Sequence, residues 1–145
     1  MDDATGFTIT RTFAAPRGPV FTAWTTPEQF GRWFGGTASE VPLETIEMDV
    51  RPGGAWKATM FAGPDRYEIG WRGEYVVVDA PEHLELTLTD GPEAVETIDV
   101  HLAESDGRTE MTTTQSGGHL TAEQYEQAKA GWQTFFDAMA EIVEA

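Results

Sequence analysis

The chain contains no cysteine, which excludes disulfide frameworks, thiolate metal sites and cysteine nucleophiles. Basic residues are scarce: 9 Lys and Arg stand against 25 Asp and Glu in 145 residues, a net charge of −16. Such a surface repels phosphate backbones and anionic headgroups, so neither nucleic acid nor a membrane is an expected partner. Its three histidines, His83, His101 and His119, stand 18 residues apart and show neither H-x-x-x-H nor H-E-x-x-H spacing. No metal and no cofactor is therefore expected. No apolar run is long enough to span a bilayer, and the opening M-D-D-A-T-G is acidic with no apolar stretch behind it. The expectation is a soluble cytoplasmic protein whose excess acid forms a solvated surface.

What is present suits a single domain over residues 1–145, a length that buries roughly 68–70% of the unfolded chain's surface without metals or disulfides. The terminal segment is the most telling. Thr121 opens a helix in which Tyr125, Ala128, Trp132, Phe135, Phe136, Met139, Ile142 and Val143 share one face, within roughly a 120° arc at helical periodicity. Glu126, Gln133, Asp137, Glu141 and Glu144 occupy the other side. A long helix with so wide an aromatic stripe requires an apolar surface from the rest of the chain.

That surface is a sheet. Phe7 to Phe13 alternates as a half-buried strand ended by Pro16, and P-V-F-T-A-W starts a short helix at Pro19. Thr26-Pro27-Glu28-Gln29 predicts a capping box opening a second helix, with Phe30, Trp33 and Phe34 on one face and Gly35-Gly36 as its stop. From Val41 to Gln115 period two dominates between turns, the pattern of an antiparallel meander. Its apolar sets are Ile46, Met48, Val50; Trp56, Ala58, Met60; Tyr67, Ile69, Trp71, Gly73, Tyr75, Val77; Leu84, Leu86, Leu88; Ile98, Val100, Leu102; and Met111, Thr113, Gln115. Turns fall at Pro52-Gly53-Gly54, Gly63-Pro64-Asp65, Asp79-Ala80-Pro81-Glu82, Asp90-Gly91-Pro92 and Ser105-Asp106-Gly107. The fold class is α+β: one strand, two short helices, six strands and a terminal helix, without repeats or linkers.

The inward faces are almost wholly apolar, with Tyr67, Tyr75, Thr113, Gln115 and the indole nitrogens as their polar groups. This is the inventory of a binding pocket rather than of acid–base catalysis. Glu96 is the sole inward carboxylate by parity, but its place beside a turn predicts exposure to solvent. Each aromatic could also simply fill a core. A sheet curved around one helix leaves space on its concave side, and flexible Met48, Met60 and Met139 suit irregular gaps. Glu47, Asp49 and Arg51, and later Arg72 and Glu74, alternate on the outer face as cross-strand ion pairs. Gly53-Gly54 joins two strands and is no phosphate loop. Gly73, between bulky neighbours, predicts a close approach by the helix or a bulge. His83 falls in a turn leading into a strand, His101 faces outward, and no spacing specifies a nucleophilic triad.

Five segments together resemble a known family: A-W-T-T-P-E-Q-F-G-R-W-F-G from Ala23, M-D-V-R-P-G-G-A-W from Met48, R-G-E-Y-V-V-V-D-A-P-E-H-L from Arg72, T-Q-S-G-G from Thr114 and G-W-Q-T-F-F-D-A-M-A from Gly131. In order and spacing they are similar to the heat-shock-protein-90 ATPase activator homologue family of the START-like SRPBCC superfamily, from about Phe7 to Val143. The resemblance implies a helix-grip fold, in which a curved antiparallel sheet of about seven strands wraps the long C-terminal helix and two short helices close one end of a deep pocket. The family's eukaryotic activators carry a separate N-terminal domain that stimulates the chaperone ATPase, and no such segment precedes the first strand here, so chaperone activation is not the leading expectation. The wider superfamily includes lipid and hormone binders, polyketide cyclases and aromatases, and fold alone does not choose among them.

The expected function is binding of a hydrophobic small molecule, a lipid, polyketide or aromatic compound, between the sheet and the terminal helix. Trp33, Trp56, Trp71, Trp132 and Phe136 would form walls, Met60 would fill gaps, and Tyr67, Tyr75, Thr113 and Gln115 would orient the ligand. No catalytic residue is assigned. The alternatives are a cyclase or dehydratase in which a tyrosine or Glu96 handles protons, and a chaperone-regulating interaction module. A chaperone or a second copy of the chain is the protein partner these alternatives carry.

Overall fold

The computed structural model describes residues 6–91 and 95–145. The acidic N-terminal residues, and Pro92 of the turn expected at Asp90-Gly91-Pro92, lie outside the described residues. Strand β1 (Gly6–Phe13) is followed by helices α1 (Arg17–Thr25) and α2 (Pro27–Trp33). Strands β2 (Ser39–Glu40) and β3 (Glu47–Met48) come next, each only two residues long. The long strands are β4 (Ala55–Ala62), β5 (Tyr67–Asp79), β6 (His83–Leu88), β7 (Glu96–Ser105) and β8 (Arg108–Ser116), and helix α3 (Ala122–Val143) ends the chain. All pairings are antiparallel, in the order β1-β8-β7-β6-β5-β4-β2, with β3 also on β4. The curved sheet thus has eight strands and stays open.

The strand expected from Ile46 to Val50 is shortened from both sides. Leu43–Thr45 winds into a 3-10 turn, and residues 49–54 fold back on themselves, with Arg51 N–H bonded to Asp49 O and Gly54 N–H to Arg51 O. The expected strand through Val50 therefore keeps only Glu47 and Met48 on the ladder. The capping box expected at Thr26 does not form either. Its side chain makes no cap bond, and Pro27, with φ preset for the first helical turn, opens α2 while the Thr26 carbonyl accepts from Gln29 and Phe30.

Parity holds along most of the meander. Ile98, Val100 and Leu102 on β7, Leu84, Leu86 and Leu88 on β6, and Met111, Thr113 and Gln115 on β8 are all buried. On β5 the register slips between Tyr75 and Val77, so beyond the bulge Val78, not Val77, packs against the core. Gly73 serves a close approach, as expected, but by a strand and not by the helix. A Cβ there would overlap Thr87 O, the carbonyl that also accepts the Trp56 indole N–H at 2.8 Å. Only a residue without a side chain lets β6 cross β5 so closely.

Helix α3 is capped by Thr121, whose hydroxyl accepts from Gln124 N–H at 3.1 Å while the Gln124 side chain accepts from Thr121 N–H at 2.9 Å. It buries Tyr125, Trp132, Phe136 and Met139. Full burial of such side chains stabilises by about 1.5–3 kcal/mol each, so these four contribute on the order of 6–12 kcal/mol, comparable to a domain's whole net stability. The far half of the helix is tied to β1 and the segment after it: Arg11 Nη1 lies 2.8 Å from Asp137 Oδ1, and the Glu144 carboxylate accepts from Ala14 N–H at 2.9 Å. Between helix and sheet, Trp24, Phe30, Trp33, Phe34, Trp132 and Phe136 meet at ring separations of 4.6–6.4 Å. They make one continuous aromatic core.

Candidate ligand pocket

Where that aromatic core stops, a cavity of about 560 Å³ opens beneath the first half of α3. Phe34 and Trp132 belong to both, forming the boundary between filled and empty space. Met60 and Ala62 of β4, Ile69 and Trp71 of β5, Leu88 of β6, and Leu120, Ala128 and Phe135 complete the apolar wall. Strand alternation explains which side chains reach it: 60 and 62, and 69 and 71, are same-face positions on paired strands. Ser39, Thr89, Asp90, Glu96, Gln115, Gln124 and Gln127 supply the polar part of the lining.

Glu96 is the main correction to the sequence reading. Expected at the surface, it is 3% exposed and lines the cavity. The segment after β8 folds over it. His119 N–H donates to Glu96 Oε2 at 3.3 Å, and His119 Nδ1 lies 3.0 Å from the same oxygen. A Cβ at Gly117 would overlap Oε2, so this cover needs glycine there. Gln115 Nε2 donates to Oε1 at 3.3 Å. The orientation of that amide is set from its other side, where the Trp132 indole N–H donates to Gln115 Oε1 at 2.9 Å. Tyr125, buried on α3, accepts from Gly118 N–H at 2.7 Å. Burial pushes its phenol pKa above the ordinary value, and the neighbouring Glu96 carboxylate adds to the shift. A buried carboxylate with an imidazole, an amide, an indole and a phenol around it can hold the polar end of a ligand or exchange a proton with it.

The ten residues expected to bind ligand separate into three groups. Met60, Trp71, Gln115 and Trp132 line the cavity. Trp33, Trp56, Tyr75, Thr113 and Phe136 are inward but lie in solid core and do not reach it. Trp33 spends its N–H on Ala23 O at 2.8 Å, and the Tyr75 phenol, its pKa raised by burial and then by the charge of Asp49, belongs to the β3–β4 end of the sheet. The Thr113 hydroxyl is buried without a partner among the described residues. Tyr67 is the third case: it has the expected parity, but it starts β5 beside the hairpin tip, where nothing covers it, and is 70% exposed. Leu88, Phe34, Phe135 and the helix glutamines were missed. The helix residues Gln124, Ala128, Gly131 and Phe135 recur at three- and four-residue steps along one face of α3, a signal present in the sequence.

On the outer face the expected cross-strand ion pairs form only in part: Lys57 Nζ is 3.3 Å from Glu47 Oε2 across the strands, Arg51 pairs locally with Asp49 at 2.8 Å because their segment leaves the ladder, and among the described residues Arg72 and Glu74 form no ion pair. Linear spacing concealed another grouping. His83, the first residue of β6, lies directly opposite His101, their rings stacked 4.0 Å apart, and Asp99 reaches both Nε2 atoms at 2.6 and 2.9 Å. These donors lie within 4.8 Å of one another and form a set that could hold a divalent transition ion. They stand on the convex side, away from the cavity.

A family model described as Activator of Hsp90 ATPase homolog 1-like protein matches residues 14–144. Comparison with curated protein sequences gave no match. Among solved structures the chain is similar to a Chromobacterium violaceum protein at 22% identity, with a TM-score of 0.89 over 97% of this chain and 99% of that one. A protein from Mycobacterium smegmatis matches at 23% identity and a TM-score of 0.80, covering 97% and 91% of the two chains. The AHSA1-like protein of Aeromonas hydrophila matches at 24% identity and a TM-score of 0.74, covering 95% and 92%. The helix-grip architecture, a curved sheet around a terminal helix with two short helices after the first strand, is that of the START-like SRPBCC superfamily, whose members commonly hold hydrophobic ligands. With its family's model matched over nearly its whole length, this chain belongs to the Activator of Hsp90 ATPase homolog 1-like family.

Proposed function

We propose that this protein binds a hydrophobic small molecule, a lipid, polyketide or aromatic compound, in the cavity beneath α3. The observation that carries the reading is the cavity itself, about 560 Å³ of space walled mainly by aromatic and aliphatic side chains. That volume falls inside the range of roughly 300–1,000 Å³ typical of small-molecule sites. Trp71, whose buried indole N–H has no partner among the described residues, supplies a donor for a ligand oxygen. Native mass spectrometry of freshly purified protein tests this directly: a non-covalent adduct that leaves on denaturation is expected. If no adduct is found, and a broad apolar library gives neither a tryptophan emission change nor a saturable chemical-shift perturbation, the reading fails.

The contact between Glu96 and His119 at the cavity wall favours a second reading, acid–base chemistry of the cyclase or dehydratase type on the bound molecule. Glu96 would shuttle the proton and His119 would hold and replenish it. This reading expects pH-dependent turnover that Glu96→Gln abolishes while binding persists. Binding without turnover across candidate polyketide substrates leaves the carrier reading alone.

A further inference from the structure

We infer that the cavity selects its ligand by charge: it takes neutral or cationic amphiphiles that offer a hydrogen-bond donor to Glu96, and rejects anionic ones such as carboxylates. This rests on the ligand-binding reading above and narrows its chemistry. Among the described residues the lining holds two carboxylates, Glu96 and Asp90, and no lysine or arginine. Glu96 is almost fully buried, and among the described residues its hydrogen-bond partners are the neutral Gln115 amide and His119. An anionic head entering this space would lose its hydration, meet carboxylate oxygens at short range and find no guanidinium or ammonium to pair with. The surrounding net charge of −16 acts in the same direction at the mouth, where Asp90 is exposed.

A hydroxyl or ammonium group meets the opposite situation. Oε1 of Glu96 has one donor among the described residues, the Gln115 amide at 3.3 Å, and each carboxylate oxygen can accept two. A ligand O–H or N–H can therefore add a charge-assisted bond without displacing a protein group. Trp132 holds Gln115 with its amide N–H toward Glu96, which keeps that face of the polar end a donor to the carboxylate and leaves it no positive charge of its own.

The test is a matched series with one apolar body: decanol, decylammonium and decanoate, titrated at pH 7.5 against the intact protein by calorimetry and by the indole N–H resonances of Trp71 and Trp132. Decanol and decylammonium are expected to bind at least about tenfold more tightly than decanoate. Glu96→Gln should shrink the gap between decanol and decanoate and weaken decylammonium. Should that variant fold poorly, Asp90→Asn at the exposed mouth gives the same trend at smaller amplitude, and the unaltered protein's own ranking already decides. Equal binding of all three overturns charge selection while sustaining the cavity reading. Tighter binding of decanoate also overturns it. Failure of all three to bind overturns it as well, and the broad apolar library above then decides the cavity reading.

Discussion

The indole N–H of Trp132 stands 2.9 Å from Oε1 of Gln115. The residue at the centre of the terminal helix's apolar stripe therefore also orients the polar end of the cavity. Packing and recognition meet in one side chain: its ring borders Trp24, Trp33, Phe34 and Phe136, and its nitrogen fixes the amide that faces Glu96.

Trp132→Ala should cost about 3–5 kcal/mol of stability, the usual range for truncating a buried tryptophan. Trp132→Phe keeps much of the packing but leaves Gln115 Oε1 without its donor, a loss of about 1–3 kcal/mol for an unsatisfied buried acceptor. Urea melts measure both. A cost below about 1 kcal/mol for the alanine variant would contradict the burial of this ring.

Gly73 and Gly70 lie on the same strand and should respond in opposite ways. A methyl group at Gly73 would overlap the Thr87 carbonyl, a backbone atom that cannot step aside without moving β6, whereas one at Gly70 meets nothing within 4 Å. Gly73→Ala should destabilise by at least about 1–3 kcal/mol, as forced overpacking does. Gly70→Ala should be neutral or slightly stabilising, because alanine restricts the unfolded chain. Equal melting midpoints for the two variants would mean that the β5–β6 crossing is looser than described.

Much of the architecture was legible because it depends on local periodicity. Alternation of Ile98, Val100 and Leu102 and the helical stripe through Trp132 are one-dimensional patterns, and burial follows from them. The cavity was legible only in part. Periodicity places Trp33, Trp56, Trp71 and Phe136 all inward, but which of them border empty space depends on how volumes add up across α1, α2, the sheet and α3. The Val77 error came from one inserted residue at a bulge, which inverts every side chain after it. Glu96 was misjudged because its cover comes from His119 and Gly117, and His83 was not paired with His101 because register, not spacing, brings them together.

Alkaline titration should expose the two buried phenols. Burial raises the pKa of Tyr75 and of Tyr125 above the ordinary 10.0, with added contributions from Asp49 and Glu96 respectively. The folded state then holds these protons more tightly than the unfolded state, so their contribution is fully present below about pH 10 and is lost as pH rises from there toward the folded values. Urea midpoints should fall above about pH 10, and Tyr75→Phe combined with Tyr125→Phe should flatten the decline. An unchanged decline in that double variant would assign the alkaline sensitivity to other groups.

Trp71 and Trp56 should separate binding from stability. Both face inward on paired strands, but Trp71 borders the cavity while Trp56 is locked in the core with its N–H on Thr87 O. An indole face offering a ligand on the order of 50 Å² of contact, at ~25 cal/mol per Å², accounts for about 1.3 kcal/mol, close to tenfold in affinity. Trp71→Ala should therefore weaken an apolar ligand about tenfold at modest cost to folding. Trp56→Ala should lower stability by about 3–5 kcal/mol and leave affinity nearly unchanged in protein that remains folded. Glu47→Gln and Arg72→Gln, on the outer face, should alter neither affinity appreciably. Calorimetric titration beside denaturant melts for all four variants decides the matter: if Trp56→Ala proves the stronger effect on binding, the ligand occupies space within the aromatic core and not the cavity beneath the first half of α3.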